Sequence, residues 1–291
     1  MNISKEDKVF EGVLITLLSI ITLVSLFPFY YVLIVSFASN AEYLRTQGKI
    51  LFPREFSLFA YQYIFSARSF LNSLKVSALI TIIGTLLSLV VTSGFSYALS
   101  QRKMIFRRGI LFLVMLSIYF HPGMIPHYII VKQLGLINSL WSIILTGVTT
   151  GWYVLLMKGF FDSIPASLVE SATIDGANDL EIWIKIALPL SKASLAAFGL
   201  FYAVLHWNTF FKAILYLTDP QKWPIQVLLR NLLSGSESGL SEAALDTDAT
   251  QLFPETIKMA AVVVASLPII AIYPFLQKHF AKGVMIGSIK G

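Results

Sequence analysis

No cysteine occurs in the 291 residues, which excludes disulfides and thiolate metal sites. Charge is scarce as well: Asp, Glu, Lys and Arg make up 13% of the chain, against about 25% in soluble domains. The apolar share is 56%, above the usual range of about 45–50%. Both shifts point to a membrane protein. The net charge of +6 would suit nucleic acid, but the basic residues gather in short loops between apolar runs, so no nucleic-acid partner is expected. No internal repeat and no low-complexity linker divides the chain. One membrane domain over residues 1–291 is the expectation.

Two further absences concern energy. The sequence contains no phosphate-binding loop of the form G-x-x-x-x-G-K-[ST]. No Asp or Glu lies inside an apolar run; Glu11 and Glu255 fall at run ends. An ion-coupled carrier needs ionisable ligands at depth. A membrane-embedded enzyme needs paired carboxylates or a His/carboxylate cluster there, and neither occurs. No catalytic residue is therefore assigned. If the chain drives transport, the energy arrives through a partner.

What is present is apolar sequence in blocks. Six runs are long enough to cross a bilayer, which takes about 20 helical residues. They cover 12–38, 71–99, 109–131, 138–159, 196–218 and 259–277. The first exceeds the apolar region of a signal peptide and contains Pro28, so it reads as a retained helix. The fold class is thus all-α, with six membrane-spanning helices. Orientation follows from basic residues in short loops. Arg102, Lys103, Arg107 and Arg108 between runs two and three place that loop, both termini and residues 160–193 in the cytoplasm.

The stretch "ESATIDGANDLEIWIKIALP", residues 170–189, interrupts this pattern with four acidic residues. It reads as two short helices, neither long enough to span a membrane. Ser163 caps the first, with Pro165 in its opening turn. Gly176 closes it in the left-handed conformation. Asn178 opens the second, with Glu181 three residues on completing a capping box. Pro189 ends or kinks it. Small residues concentrate at the bend and invite close approach by another protein. A helix lying on lipid would favour Lys and Arg on its polar face. The acidic first half instead suits a docking knob for a soluble partner.

These residues resemble a motif of ABC importer permeases, the binding-protein-dependent inner-membrane components. That motif is E-A-A, three residues, G, nine residues, I-x-L-P. Here Glu170, Ser171 and Ala172 precede Gly176, and Ile186, Leu188 and Pro189 follow at matching spacing. Ser171 for the central alanine is the one departure. The tail "QKHFAKGVMIGSIKG" and "GLFYAVLHWNTFFKAILYL" are similar to the carbohydrate-type branch, in particular to importers of oligosaccharides or polysaccharide fragments such as alginate. A permease for amino acids or peptides is the alternative within transport.

The resemblance implies a type I ABC importer permease fold with a coupling helix over 165–176. It implies a heterodimer with a second permease, two ATPase subunits that bind ATP and Mg, and an extracytoplasmic solute-binding protein. The chain itself would hold no cofactor. Glu170 would contact the ATPase, together with Ser171 and Asp175. Ala172 would permit close packing, Gly176 would set the bend, and Ile186, Leu188 and Pro189 would anchor the knob to the membrane core. The tail 282–291 is a candidate to reach the ATPases, and the loop 219–257 to meet the binding protein. For the sugar path, run five offers Tyr202, His206, Trp207, Asn208, Phe210 and Phe211, with Tyr202, His206 and Phe210 expected on one helical face. Ordinary packing inside the bundle is the competing account. Tyr119, His121 and His127 are weaker candidates, and the two histidines lack a third ligand for zinc.

Overall fold

The computed structural model describes residues 5–234 and 254–287. Helices account for nearly all regular structure, and among the described residues the only β-pairing is an isolated bridge between Ala38 and Phe56. The chain packs as two compact units. One comprises Met1–Leu71 with Leu229–Leu267; the other comprises Asn72–Leu228 with Pro268–Gly291.

Three helices are single, long and apolar. They are α1 (Lys5–Ser36), α4 (Arg68–Ser100) and α15 (Glu255–Gly287). At about 1.5 Å per residue, the 27-residue span Phe10–Ser36 and the 33-residue α4 exceed a hydrocarbon core of about 30 Å. α1 continues through Pro28 without interruption. Its large apolar side chains, such as Phe10, Leu23 and Phe29, are exposed, which suits a helix facing lipid or another subunit.

The remaining spans are broken. The third run is not one helix: α5 (Arg107–Tyr119) and α6 (Met124–Gln133) meet at 119°. The cause is His121-Pro122-Gly123. Pro122 has no N–H and disfavours helix at the residue before it, and Gly123 sits at φ +83°. The fourth run divides into α7 (Leu140–Thr146) and α8 (Gly151–Asp162), bent by 52°. Thr150 caps α8 by accepting the Tyr153 N–H at 3.3 Å. The fifth run divides into α12 (Lys192–Trp207) and α13 (Phe211–Tyr216). Among the described residues, the bent pairs apolar enough to count as spans are α5 with α6, α7 with α8, and Asp179–Leu190 with Lys192–Trp207; taking each as one span gives up to six crossings.

In the first unit, α2 (Asn40–Arg45) and α3 (Phe59–Ser66) lie between α1 and α4 in sequence. Ser39 caps α2 by accepting the Glu42 N–H at 3.1 Å. Glu42 is 2% exposed. Its carboxylate accepts the Arg54 N–H at 3.0 and 3.2 Å and the Glu55 N–H at 3.0 Å. These two backbone donors, Arg54 first, hold the carboxyl below its ordinary range. The segment 46–57 thereby closes on α2, beside the Ala38–Phe56 bridge.

In the second unit, the main core joins Tyr97 of α4, Met157 and Phe161 of α8, and Phe198 and Tyr202 of α12 with residues of the 166–187 stretch. A second cluster gathers Ile80, Ile143, Ile144, Ala213, Leu217 and Val227. Buried Ser88, Thr92 and Ser96 recur every four residues along one face of α4. The Ser96 hydroxyl donates to the Val154 carbonyl at 2.9 Å.

Candidate functional site

The polar interruption folds as a hook. Ser163 does not cap its first helix; its hydroxyl donates to the Phe160 carbonyl at 2.7 Å and closes α8. Pro165 takes the cap position instead, with extended backbone, and α9 runs Ala166–Ile174, shorter than the expected 165–176. The helix ends in a paired lock. The Ala177 N–H donates to the Ala172 carbonyl at 2.9 Å and the Gly176 N–H to the Thr173 carbonyl at 3.1 Å. Gly176 sits at φ +86°. This is the Schellman arrangement, which needs a left-handed residue after the helix.

α10 (Asp179–Ile182) opens with both halves of the capping box in place. The Glu181 N–H donates to Asn178 Oδ1 at 2.9 Å, and the Asn178 N–H donates to Glu181 Oε2 at 3.1 Å. Lys185 donates to Glu181 Oε1 at 3.0 Å. That ammonium, with the Asn178 N–H, holds the Glu181 carboxyl below its usual value. A π-turn over Trp183–Ala187 follows, in which the Leu188 N–H reaches back five residues to the Trp183 carbonyl. Pro189 explains the widening: its ring clashes with the carbonyl four residues earlier in an α-turn, and a wider turn moves that carbonyl away. The chain then turns by 85° into α12.

The hook has two faces. Ala172 is 9% exposed and packs into the main core with Tyr97, Ile182, Ala187 and Tyr202. Val169, Ile186 and Leu188 pack against the same core. Ala172 is therefore the seat of the hook in its own chain, not its outer contact. Glu170, Ser171, Asp175, Gly176 and Pro189 are exposed. Between them Ile174 is 86% exposed and Leu180 61%. The hook thus exposes both carboxylates and bare apolar side chains.

The run-five candidates separate. Tyr202, His206 and Trp207 are buried inside the chain. The Tyr202 hydroxyl hydrogen-bonds the Thr92 hydroxyl, which donates to Thr149 Oγ1 at 2.8 Å. His206 Nε2 lies 3.1 Å from Ser88 Oγ. The imidazole occupies a slot between two glycines. A Cβ on Gly84 would fall 2.8 Å from ring atoms of His206, and one on Gly147 3.1 Å from its Cε1. Phe210 leaves the expected face, because α12 ends at Trp207, and packs into the Ile80 cluster. Asn208 and Phe211 remain exposed, and Asn208 Oδ1 accepts from Gln226 Nε2 at 3.3 Å. Tyr119, His121 and His127 are exposed around the α5–α6 bend.

Sequence reasoning missed the Ser88, Thr92 and Thr149 partners. The signal was there: hydroxyls four residues apart in an otherwise apolar helix. It also left Lys212 without a role. The Lys212 ammonium donates to the Thr146 carbonyl at 2.8 Å, the last residue of α7. The tail 282–291 lies partly in α15, which reaches Gly287, and 288–291 lie outside the described residues, as does 235–253 of the loop 219–257.

The comparisons with known proteins converge. The family described as "Binding-protein-dependent transport system inner membrane component" matches residues 103–286. The polygalacturonan/rhamnogalacturonan transport system permease protein YtcP of Bacillus subtilis (strain 168) is 45% identical over 98% of this chain and 100% of its own length. The protein LplC of the same organism is 44% identical over 100% of this chain and 98% of its own. A chain from the crystal structure of a bacterial ABC transporter involved in the import of the acidic polysaccharide alginate superposes with a TM-score of 0.86. The two are 33% identical and cover 95% of this chain and 98% of that one. With a hook of this construction and a match over most of its length, the chain belongs to the binding-protein-dependent transport system inner membrane components, the permeases of ABC importers.

Proposed function

We propose that this chain forms, with a second permease, the alternating-access pathway of an ABC importer for acidic oligosaccharides, fragments of polygalacturonan or alginate type. The solute enters from an extracytoplasmic binding protein. Two separate ATPase subunits bind ATP and Mg and supply the energy; the chain has no catalytic residue of its own. The whole chain acts as one permease domain, with the basic loop 102–108, the hook and both termini on the cytoplasmic side.

The observation that carries this reading is the two-faced hook. One face packs on the bundle through Ala172, and the other presents Glu170, Ile174 and Asp175. A helix clamped to the core on one side passes a push on its free side to the core as displacement, which is what a coupling element requires. The acidic solute is supported by what the two similar permeases are named for or found in, polygalacturonan/rhamnogalacturonan transport and alginate import.

The test is reconstitution of the complete complex in liposomes with its binding protein and radiolabelled oligogalacturonide. ATP-dependent uptake is expected from the wild type, and loss of uptake from Gly176→Pro and Glu170→Lys at equal membrane levels. The purified chain alone is expected to hydrolyse no ATP. Uptake of amino acids or peptides in place of the sugar would overturn the substrate class. Full transport by both variants would overturn the coupling role.

A further inference from the structure

Lys212 is a cation with no carboxylate partner among the described residues. It lies in the fifth apolar run, where an ammonium is costly and is retained for a reason. It belongs to none of the ion pairs among the described residues. Its one hydrogen bond in the structure goes to the Thr146 carbonyl, and an ammonium carries three donors. Lys212 is half-buried and has no carboxylate partner among the described residues, which leaves two of its donors available to an anion.

Its position is as telling as its charge. Thr146 ends α7, at the break in the fourth span, and Lys212 lies in the first turn of α13, just past the break in the fifth. The ring of His206 lies against Gly147 at the same place. Two interrupted helices therefore meet here, bridged by the lysine. Interrupted membrane helices expose backbone polar groups that suit solute binding rather than lipid. Beside the lysine, Asn208 is exposed and Phe211 is 58% exposed. An exposed amide and an exposed aromatic ring thus stand within four residues of the lysine along the chain.

We propose that Lys212 is this chain's specificity-determining contact for the carboxylate of a uronic-acid unit, at the meeting point of the two broken spans. The proposal rests on the acidic-oligosaccharide reading above and names the group that recognises the acid. Neutral sugar needs no such cation, and a purely structural cap on Thr146 needs no charge beyond a single donor.

The experiment compares trigalacturonide with its fully methyl-esterified, uncharged form in the reconstituted complex, using the same binding protein throughout. The quantity read is the ratio of acidic to esterified uptake for wild type, Lys212→Gln and Lys212→Arg. The ratio is expected to fall at least tenfold in Lys212→Gln and to stay within about threefold of wild type in Lys212→Arg. An unchanged ratio in Lys212→Gln, with both uptakes intact or both reduced in parallel, would assign the lysine to packing and overturn the proposal. If the wild type itself imports only the uncharged form, the acidic-substrate reading fails first, and the failure is visible before any variant is made.

Discussion

At the scale of single residues, the clearest constraint is steric. Gly84 leaves room for the His206 ring, and a methyl group there would meet three ring atoms at 2.8 Å. Because the ring is held on its other side at Gly147, it has little room to retreat. We expect Gly84→Ala to destabilise the detergent-solubilised protein by about 1–3 kcal/mol, the usual cost of overpacking. Pairing it with His206→Ala should recover most of that loss in a thermal melt, since the two sites share one volume. Glu42 gives a pH signature. Its folded-state pKa lies below the unfolded value, so its contribution is present above the ordinary carboxyl pKa of about 4.3 and is lost as pH falls through the folded value. Amide-exchange protection at Arg54 and Glu55, corrected for intrinsic rates, is expected to be flat near neutrality and to fall in acid. Glu42→Gln removes one acceptor oxygen and should show weakened protection already at neutral pH.

At the scale of elements, the hook was legible because its punctuation is local. Gly176 as helix stop and the Asn178–Glu181 box depend only on residues within a turn, and both stand in the structure as the spacing implied. Asn178→Ala is expected to cost about 1 kcal/mol. Gly176→Ala should cost about 1–2 kcal/mol for the left-handed backbone alone, because nothing lies within 4 Å of the added methyl. Proteolysis rates of the hook measure both. Ile174→Asp, on the exposed rim, is expected to lower ATPase-subunit copurification at least tenfold while leaving proteolysis unchanged. Ser163 was misleading because a hydroxyl can serve the helix behind it as readily as the one ahead. The π-turn before Pro189 left no mark in residue type, since widening answers a clash instead of a propensity. The breaks in runs four and five were equally hidden: Thr149 and Asn208 look like tolerated polar residues until their partners on other helices are known, and Thr150 until it is seen to cap α8.

At the scale of the whole molecule, six apolar runs were readable from composition, but burial was not. The sequence left Tyr202 and His206 open between the sugar path and bundle packing, because aromatic and imidazole side chains serve both purposes. Only the packing of α4, α8 and α12 around them shows that they face inward. Orientation can be tested with unusual economy, because the absence of cysteine makes any introduced thiol unique. Lys103→Cys is expected to react with an impermeant maleimide only in inverted vesicles, and Arg54→Cys only in intact cells; the reverse pattern would invert the topology. The imidazole wedged between two glycines has a last implication, for descent. Positions 84, 147 and 206 occupy one shared space on three separate spans, so no single one of them drifts freely. Across living relatives they will be found to change as a set, and a lineage that acquires a bulkier residue at 84 will already have given up the ring at 206.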